Sequence, residues 1–141
     1  MALSNYLFDA DSVAVIGASD MPGTWGFGVM NTLLSSPRKR KVWPVTKSAS
    51  EVVGIKAYQS IIEVPEAVDF TVISIPTPGV PGVMRECVEK GVTGALIISG
   101  ELAEVGGEGA RIQEEIVQIA RRGGLRFIGP NSMGHADTSS D

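Results

Sequence analysis

Five short apolar runs rich in β-branched residues, helical apolar stripes between them, and glycine- or proline-rich turns after them predict an α/β fold. The runs are apolar without alternation, so each reads as a strand buried on both faces, the habit of parallel sheets. Strand, helix and strand in turn require right-handed crossovers. The expected architecture is a doubly wound parallel sheet of about five strands in three layers, α/β/α.

The first run is Ser12-Val13-Ala14-Val15-Ile16-Gly17. A helix over about residues 26–34 follows, with Val29, Met30, Leu33 and Leu34 on one side. Residues 41–45 make the second strand. Residues 54–65 fit the alternation poorly: 55–58 read as a short extended piece and 60–64 as a helical turn. Residues 69–75 are the third strand, and Val80, Val83, Met84, Cys87 and Val88 then recur at helical spacing. Residues 95–99 are the fourth strand. In the last helix Ile112, Ile116, Ile119 and Ala120 face Gln113, Glu114, Glu115, Gln118, Arg121 and Arg122 across the axis. Glu108 near its start and the two arginines in its last turn suit the helix dipole, and Gly123-Gly124 is a stop. Residues 126–128 close the set, and no internal repeat is visible.

At 141 residues the chain has room for one domain and a short tail, expected at residues 1–134 and 135–141. A hydrophobic content of 43% supplies a packed core and excludes a disordered chain. Lys+Arg 12 against Asp+Glu 16 leaves a net charge of −4, which argues against bulk nucleic-acid affinity. Cys87 is the single cysteine and His135 the single histidine, so no disulfide and no metal site is expected. No stretch approaches the ~18 apolar residues that span a bilayer. The start, Met1-Ala2-Leu3-Ser4-Asn5-Tyr6, lacks the basic and apolar regions of a signal peptide, so a cytoplasmic protein is expected.

Ligands of such folds bind beyond the carboxyl ends of the strands. The first of these loops runs from Gly17-Ala18-Ser19 through Gly23-Thr24-Trp25-Gly26 to Gly28. Its glycines let backbone N–H groups approach an anion, the next helix adds its dipole, and Ser19 and Thr24 add hydroxyls. The spacing is neither G-x-G-x-x-G nor a P-loop, and a turn needed only for packing is the plain alternative. The second loop carries Lys47 where an NAD site places an acid. A lysine here suits a ribose bearing an extra phosphate, as in coenzyme A or NADP, unless it is simply a solvated side chain.

The third loop, Ile75-Pro76-Thr77-Pro78, is stiff and poor in donors; it suits a base or a pantetheine arm, or merely a helix start at Pro78 or Pro81. After the fourth strand, Ser99-Gly100-Glu101-Leu102-Ala103-Glu104 reads as a solvated helix start. Gly129-Pro130-Asn131-Ser132 is a tight turn that a ligand or turn chemistry alone would explain. Trp25 and Phe27 cover a ligand or pack under the first loop. Arg38-Lys39-Arg40-Lys41 lies on the opposite rim and reads as a solvated corner; Cys87 reads as core, and His135 as an exposed tail residue.

In order along the chain, these pieces resemble the CoA-binding domain of the NDP-forming acyl-CoA synthetases, relatives of the succinyl-CoA synthetase α subunit. The matching residues are Ser12 to Ser19, Pro22-Gly23 with Gly26, Pro44-Val45 with Lys47, and Gly54 with Lys56-Ala57-Tyr58. Ile75 to Pro78, Ile97-Ile98-Ser99 and Gly129 to Gly134 complete them. One departure stands out: Glu101 occupies a position where the family commonly has glycine in Ser-Ala-Gly-Phe.

The resemblance implies a Rossmann-like domain that binds CoA or acyl-CoA. The parent reaction would interconvert acyl-CoA, NDP and phosphate with acid, CoA and NTP through a phosphohistidine. It implies that the loop with Gly17, Ala18, Ser19, Gly23, Thr24, Trp25 and Gly26 holds the CoA phosphates. Lys47 would approach the nucleotide end, Ile75, Pro76, Thr77 and Pro78 would line the groove, and Ser99 and Asn131 would face the phosphohistidine site. The catalytic histidine and a β-type ATP-grasp unit belong to further domains or a partner subunit, so the 141 residues alone are expected to be inactive; His135 does not match the catalytic position. A stand-alone or regulatory CoA-binding module, including that of a protein acyltransferase, and an NADP-binding sensor domain are the competing expectations.

Overall fold

The computed structural model describes residues 9–100 and 106–133. The main sheet contains β1 (Ser12–Ile16), β2 (Lys41–Val45), β5 (Phe70–Ile73), β6 (Gly94–Ile97) and β7 (Arg126–Ile128), all parallel, in the order β2-β1-β5-β6-β7. Its helices are α1 (Trp25–Ser35), α2 (Val80–Lys90) and α3 (Gly107–Gly123). A two-stranded hairpin, β3 (Glu51–Val52) with β4 (Ile55–Lys56), and short 3₁₀ turns at Ile61–Glu63 and Thr77–Gly79 complete the described elements. The α/β class, five parallel strands and alternating helices are those the sequence predicts.

The place of the first strand in the sheet explains why it is apolar from Val13 to Ile16. β1 pairs on one side with β2, Ser12 opposite Lys41 through Ile16 opposite Val45. On the other side it pairs with β5, Val13 opposite Phe70 through Ile16 opposite Ile73. Both edges are then paired, helices cover both faces, and all five residues of β1 are buried. Val80, Met84 and Cys87 of α2 pack with Ile112, Ile116 and Ala120 of α3 over Ala14, Ile16, Ile73, Ala95 and Ile97. Met30 of α1 packs with Val15, Ala18 and Val52 in a separate cluster, and Val29 and Leu33 extend to Val13, Phe70, Val72 and Leu96. Each fully buried side chain of this size contributes about 1.5–3 kcal/mol.

Several boundaries differ from the sequence expectation: the third strand ends at Ile73 rather than 75, and the fourth runs Gly94–Ile97 rather than 95–99. The third strand starts at Phe70 because Asp69 is engaged elsewhere: its carboxylate accepts from the Asp11 and Ser12 N–H groups, at 3.1 and 3.0 Å. The first helix starts at Trp25, one residue early, because the Thr24 hydroxyl accepts from Phe27 N–H at 3.3 Å and caps it. Within residues 54–65 the expected extended piece is β4 and the expected helical turn is the 3₁₀ turn at Ile61–Glu63. β3, just before that stretch, makes β4 a hairpin through a turn, Val53-Gly54, with two positive φ angles, 50° and 74°. A turn of this shape ordinarily signals itself with Asn-Gly or Asp-Gly, so valine concealed it, and β3 went unseen.

The basic corner lies on the amino-terminal rim. Arg38 bonds Asp9 and Asp11, both at 2.9 Å, and those two carboxylates hold its guanidinium pKa above the ordinary value. Arg40 donates to the Ala10 carbonyl, and Lys41 pairs with Glu66.

Cys87 is fully buried on the inner face of α2. Burial, with a smaller push from Glu86, lifts its thiol from 9.0 to about 12, against a lowering hydrogen bond with Thr71. Between those values the unfolded chain holds fewer protons than the native one, so stability falls as pH rises from about 9 towards 12. At pH 8 the native thiol is expected to resist an aromatic disulfide reagent and to react in full in denaturant. Native labelling at the rate of a free thiol would contradict this packing.

Candidate functional site

The sheet order reverses direction between β1 and β5, so the crevice at their carboxyl ends is the topological switch point. The loops after these two strands flank it, and the contact between them is main chain on main chain. Gly17 has φ +92°, and a Cβ there would lie 2.4 Å from the Ser74 carbonyl oxygen. A Cβ on Gly26, in the first turn of α1, would lie 1.9 Å from the Gly17 carbonyl oxygen. No residue but glycine fits either place, and the absence of side chains brings the start of α1 down onto the end of β1.

Donors in this loop divide into two groups. Gly17 and Ala18 N–H reach the Val45 carbonyl, Met21 N–H reaches the Ser19 hydroxyl, and Thr24 N–H reaches the Met21 carbonyl. The amides of Ser19, Gly23 and Trp25 have no partner among the described residues. Such unpaired amides beside a helix start favour an anion. Thr24 fits the expected hydroxyl role less well, because its proton goes to the Met21 carbonyl at 2.8 Å. The Ala18 side chain is core, and Trp25 is 53% exposed on the rim.

At the end of β2, Lys47 opens a hollow of about 670 Å³ lined also by Ser48, Ser50, Lys56, Tyr58 and Glu63. Lys47 has no ion-pair partner among the described residues, and no acid takes the ribose-binding position at the strand end.

The other three loops form one rim. Ser99 is buried, and its hydroxyl donates to the Ile75 carbonyl at 2.6 Å. Asn131 N–H donates to the Ser99 carbonyl at 2.9 Å, and Ser132 N–H to the Ile97 carbonyl at 3.2 Å. The Thr77 hydroxyl donates to the Gly100 carbonyl. Pro78 sits in the 3₁₀ turn and Pro81 in the first turn of α2, so the two prolines open successive elements. The structure thus brings Ile75, Thr77, Ser99 and Asn131 together, but both hydroxyl protons already hold neighbouring carbonyls. Glu101, Glu104 and His135 lie outside the described residues. Among the described residues no group of His, Cys, Asp or Glu could hold a metal, and no helix is long and apolar enough to cross a membrane.

Sequence reasoning gave no role to Asp20, Lys56 or Tyr58. Asp20 Oδ1 accepts from Val53 N–H at 2.6 Å, tying the hairpin to the first loop. The Lys56 ammonium stands 5.1 Å from the centre of the Tyr58 ring. Only the run Gly54, Lys56-Ala57-Tyr58 within the resemblance pointed here.

The family described as the CoA binding domain matches residues 11–137. The chain is 39% identical over 134 residues to acetate–CoA ligase [ADP-forming] II of Archaeoglobus fulgidus, covering 95% of this chain and 20% of that protein. It is 41% identical over 137 residues to the α subunit of acetate–CoA ligase [ADP-forming] II of Pyrococcus furiosus, covering 97% and 30%. Among solved structures, the dinucleotide forming acetyl-coenzyme A synthetase 1 of Ca. Korarchaeum cryptofilum, in complex with phosphate and ADP, superposes with a TM-score of 0.86 at 37% identity. That match covers 94% of this chain and 28% of the other. The chain therefore spans between 20% and 30% of the length of these relatives.

Proposed function

This chain belongs to the CoA binding domain family, and from that premise we propose that it binds CoA or acyl-CoA along the carboxyl edge of its sheet, in the cytoplasm. The unpaired amides of Ser19, Gly23 and Trp25 hold the pyrophosphate, with the Gly17–Gly26 contact keeping the start of α1 close to it. Lys47 meets the ribose phosphate. Ile75, Pro76, Thr77 and Pro78 form the wall of the groove, and Ser99 and Asn131 hold the rim beyond it. The thiol of bound CoA supplies the acyl acceptor.

In the parent synthetase the chemistry needs a histidine and a nucleotide site that match nothing in this chain, so its own part is to bind and orient the coenzyme. An ATP-grasp unit, as a further domain or a partner subunit, supplies the phosphoryl group.

The observation that carries this reading is Lys47, a cation with no ion pair among the described residues, at the strand end where a ribose-diol site would need an acid. Titration calorimetry tests it. Lys47→Ala is expected to weaken CoA by about tenfold and dephospho-CoA, which lacks the ribose phosphate, by less than about twofold. Equal losses for the two would remove Lys47 from that role.

A further inference from the structure

We propose that Lys56 is a second cation for the ribose phosphate monoester, delivered beside Lys47 by the β3–β4 hairpin and steadied over the Tyr58 ring. The proposal rests on the reading of the site as a CoA site and adds a specificity-determining residue to it. Lys47 and Lys56 line one hollow, although they are nine positions apart in the sequence, one in the loop after β2 and the other on β4. Neither forms an ion pair among the described residues. Among the described residues the acid lining the hollow is Glu63, which accepts from Gln59 N–H at 3.2 Å, and Glu51 stands opposite Lys56 in the hairpin; neither forms an ion pair with Lys56. Two like charges on one concave surface repel each other unless an anion arrives, and a phosphate monoester with nearly two negative charges is matched by two lysines.

The surroundings fix Lys56 rather than leaving it on a loose arm. Tyr58 is held in the backbone ladder of β2: its N–H donates to the Pro44 carbonyl at 3.0 Å, and its carbonyl accepts from Thr46 N–H at 2.8 Å. Its ring meets Trp43 edge-on at 6.0 Å, so it offers a fixed face to the Lys56 ammonium. The hairpin is anchored through Val52, which is buried against Ala18 and Met30. Its turn is held from the first loop, where Asp20 accepts from the N–H of Val53. A β-branched residue at φ +50° is strained backbone, and it persists here under that bond. Asp20 is therefore a positioning residue: it couples the loop assigned to the pyrophosphate to the hairpin that carries Lys56.

Titration of the chain with CoA and dephospho-CoA reads this subsite. Lys56→Gln is expected to weaken CoA by about fivefold to tenfold while leaving dephospho-CoA within about twofold. Lys56→Arg, which keeps the charge, is expected to retain most of the preference. Asp20→Ala is expected to narrow the same preference by about threefold, a readout that a purely structural role would not move. If Lys56→Gln keeps the full preference for CoA while Lys47→Ala loses it, the inference is overturned and the reading of the site stands. Equal weakening of both coenzymes by Lys56→Gln also overturns it. If the native chain binds neither coenzyme, the reading of the site itself fails.

Discussion

Gly26→Ala is expected to destabilise the chain by at least about 3 kcal/mol and to abolish coenzyme binding in whatever fraction still folds. The methyl group would arrive 1.9 Å from the Gly17 carbonyl oxygen and 3.1 Å from the Ser19 amide nitrogen, both main-chain atoms that no rotamer change can move aside. Relief requires α1 to lift from β1, which opens the Met30 cluster and pulls the unpaired amides away from the crevice. Gly28→Ala is the matched control. It lies on the same helix with nothing within 4 Å of the added Cβ, and replacing an exposed helical glycine contributes about 0.5–1 kcal/mol of stability. Urea unfolding of the two variants reads the contrast. A Gly26→Ala protein as stable as the native chain would show that the two backbones are not in the contact described.

Saturating CoA is expected to raise the thermal midpoint on the order of 10 °C. At a hundred times the dissociation constant a ligand that binds only the native state adds about 2.7 kcal/mol. For a chain of this length each kcal/mol moves the midpoint by roughly 3–5 °C. Dephospho-CoA at the same concentration is expected to give a smaller shift, because it leaves Lys47 and Lys56 without their anion. NADPH, NADH and ATP in parallel arms are expected to give little. Stabilisation by NADPH without stabilisation by CoA would replace the CoA reading with that of an NADP-binding domain, since Lys47 alone suits the phosphate of either.

The fold was legible because its main signal is redundant. Val13, Val15, Val72, Leu96 and Ile97 are apolar where an exposed strand would alternate, and the stripes of α2 and α3 repeat the same message at helical spacing. The glycines of the first loop were legible as permissive positions; which atoms they press against was not, since Ser74 is 57 residues from Gly17. Two residues of β3 are too few to show a period, and Val53-Gly54 lacks the residues that announce such a turn. Hydroxyl direction was hidden as well. Thr24 read as a hydroxyl donor to a ligand, whereas its proton binds the Met21 carbonyl three residues back; the Ser99 and Thr77 protons bind carbonyls of neighbouring loops that lie close only after β5 and β6 align. Lys56 was passed over because nothing local says that β4 turns it towards the end of β2.

Where Gly26 rests on Gly17 and Gly17 on Ser74, the floor of the crevice is mainly peptide groups, with the Ser74 hydroxyl beside them. Peptide dipoles locked by covalent geometry and close contact cannot swing away as rotamers do, so their field is already in place when an anion arrives and little reorganisation remains to oppose binding. Side chains around that floor can vary while its field towards an anion persists, as long as Gly17, Gly26 and Ser74 keep their close contact.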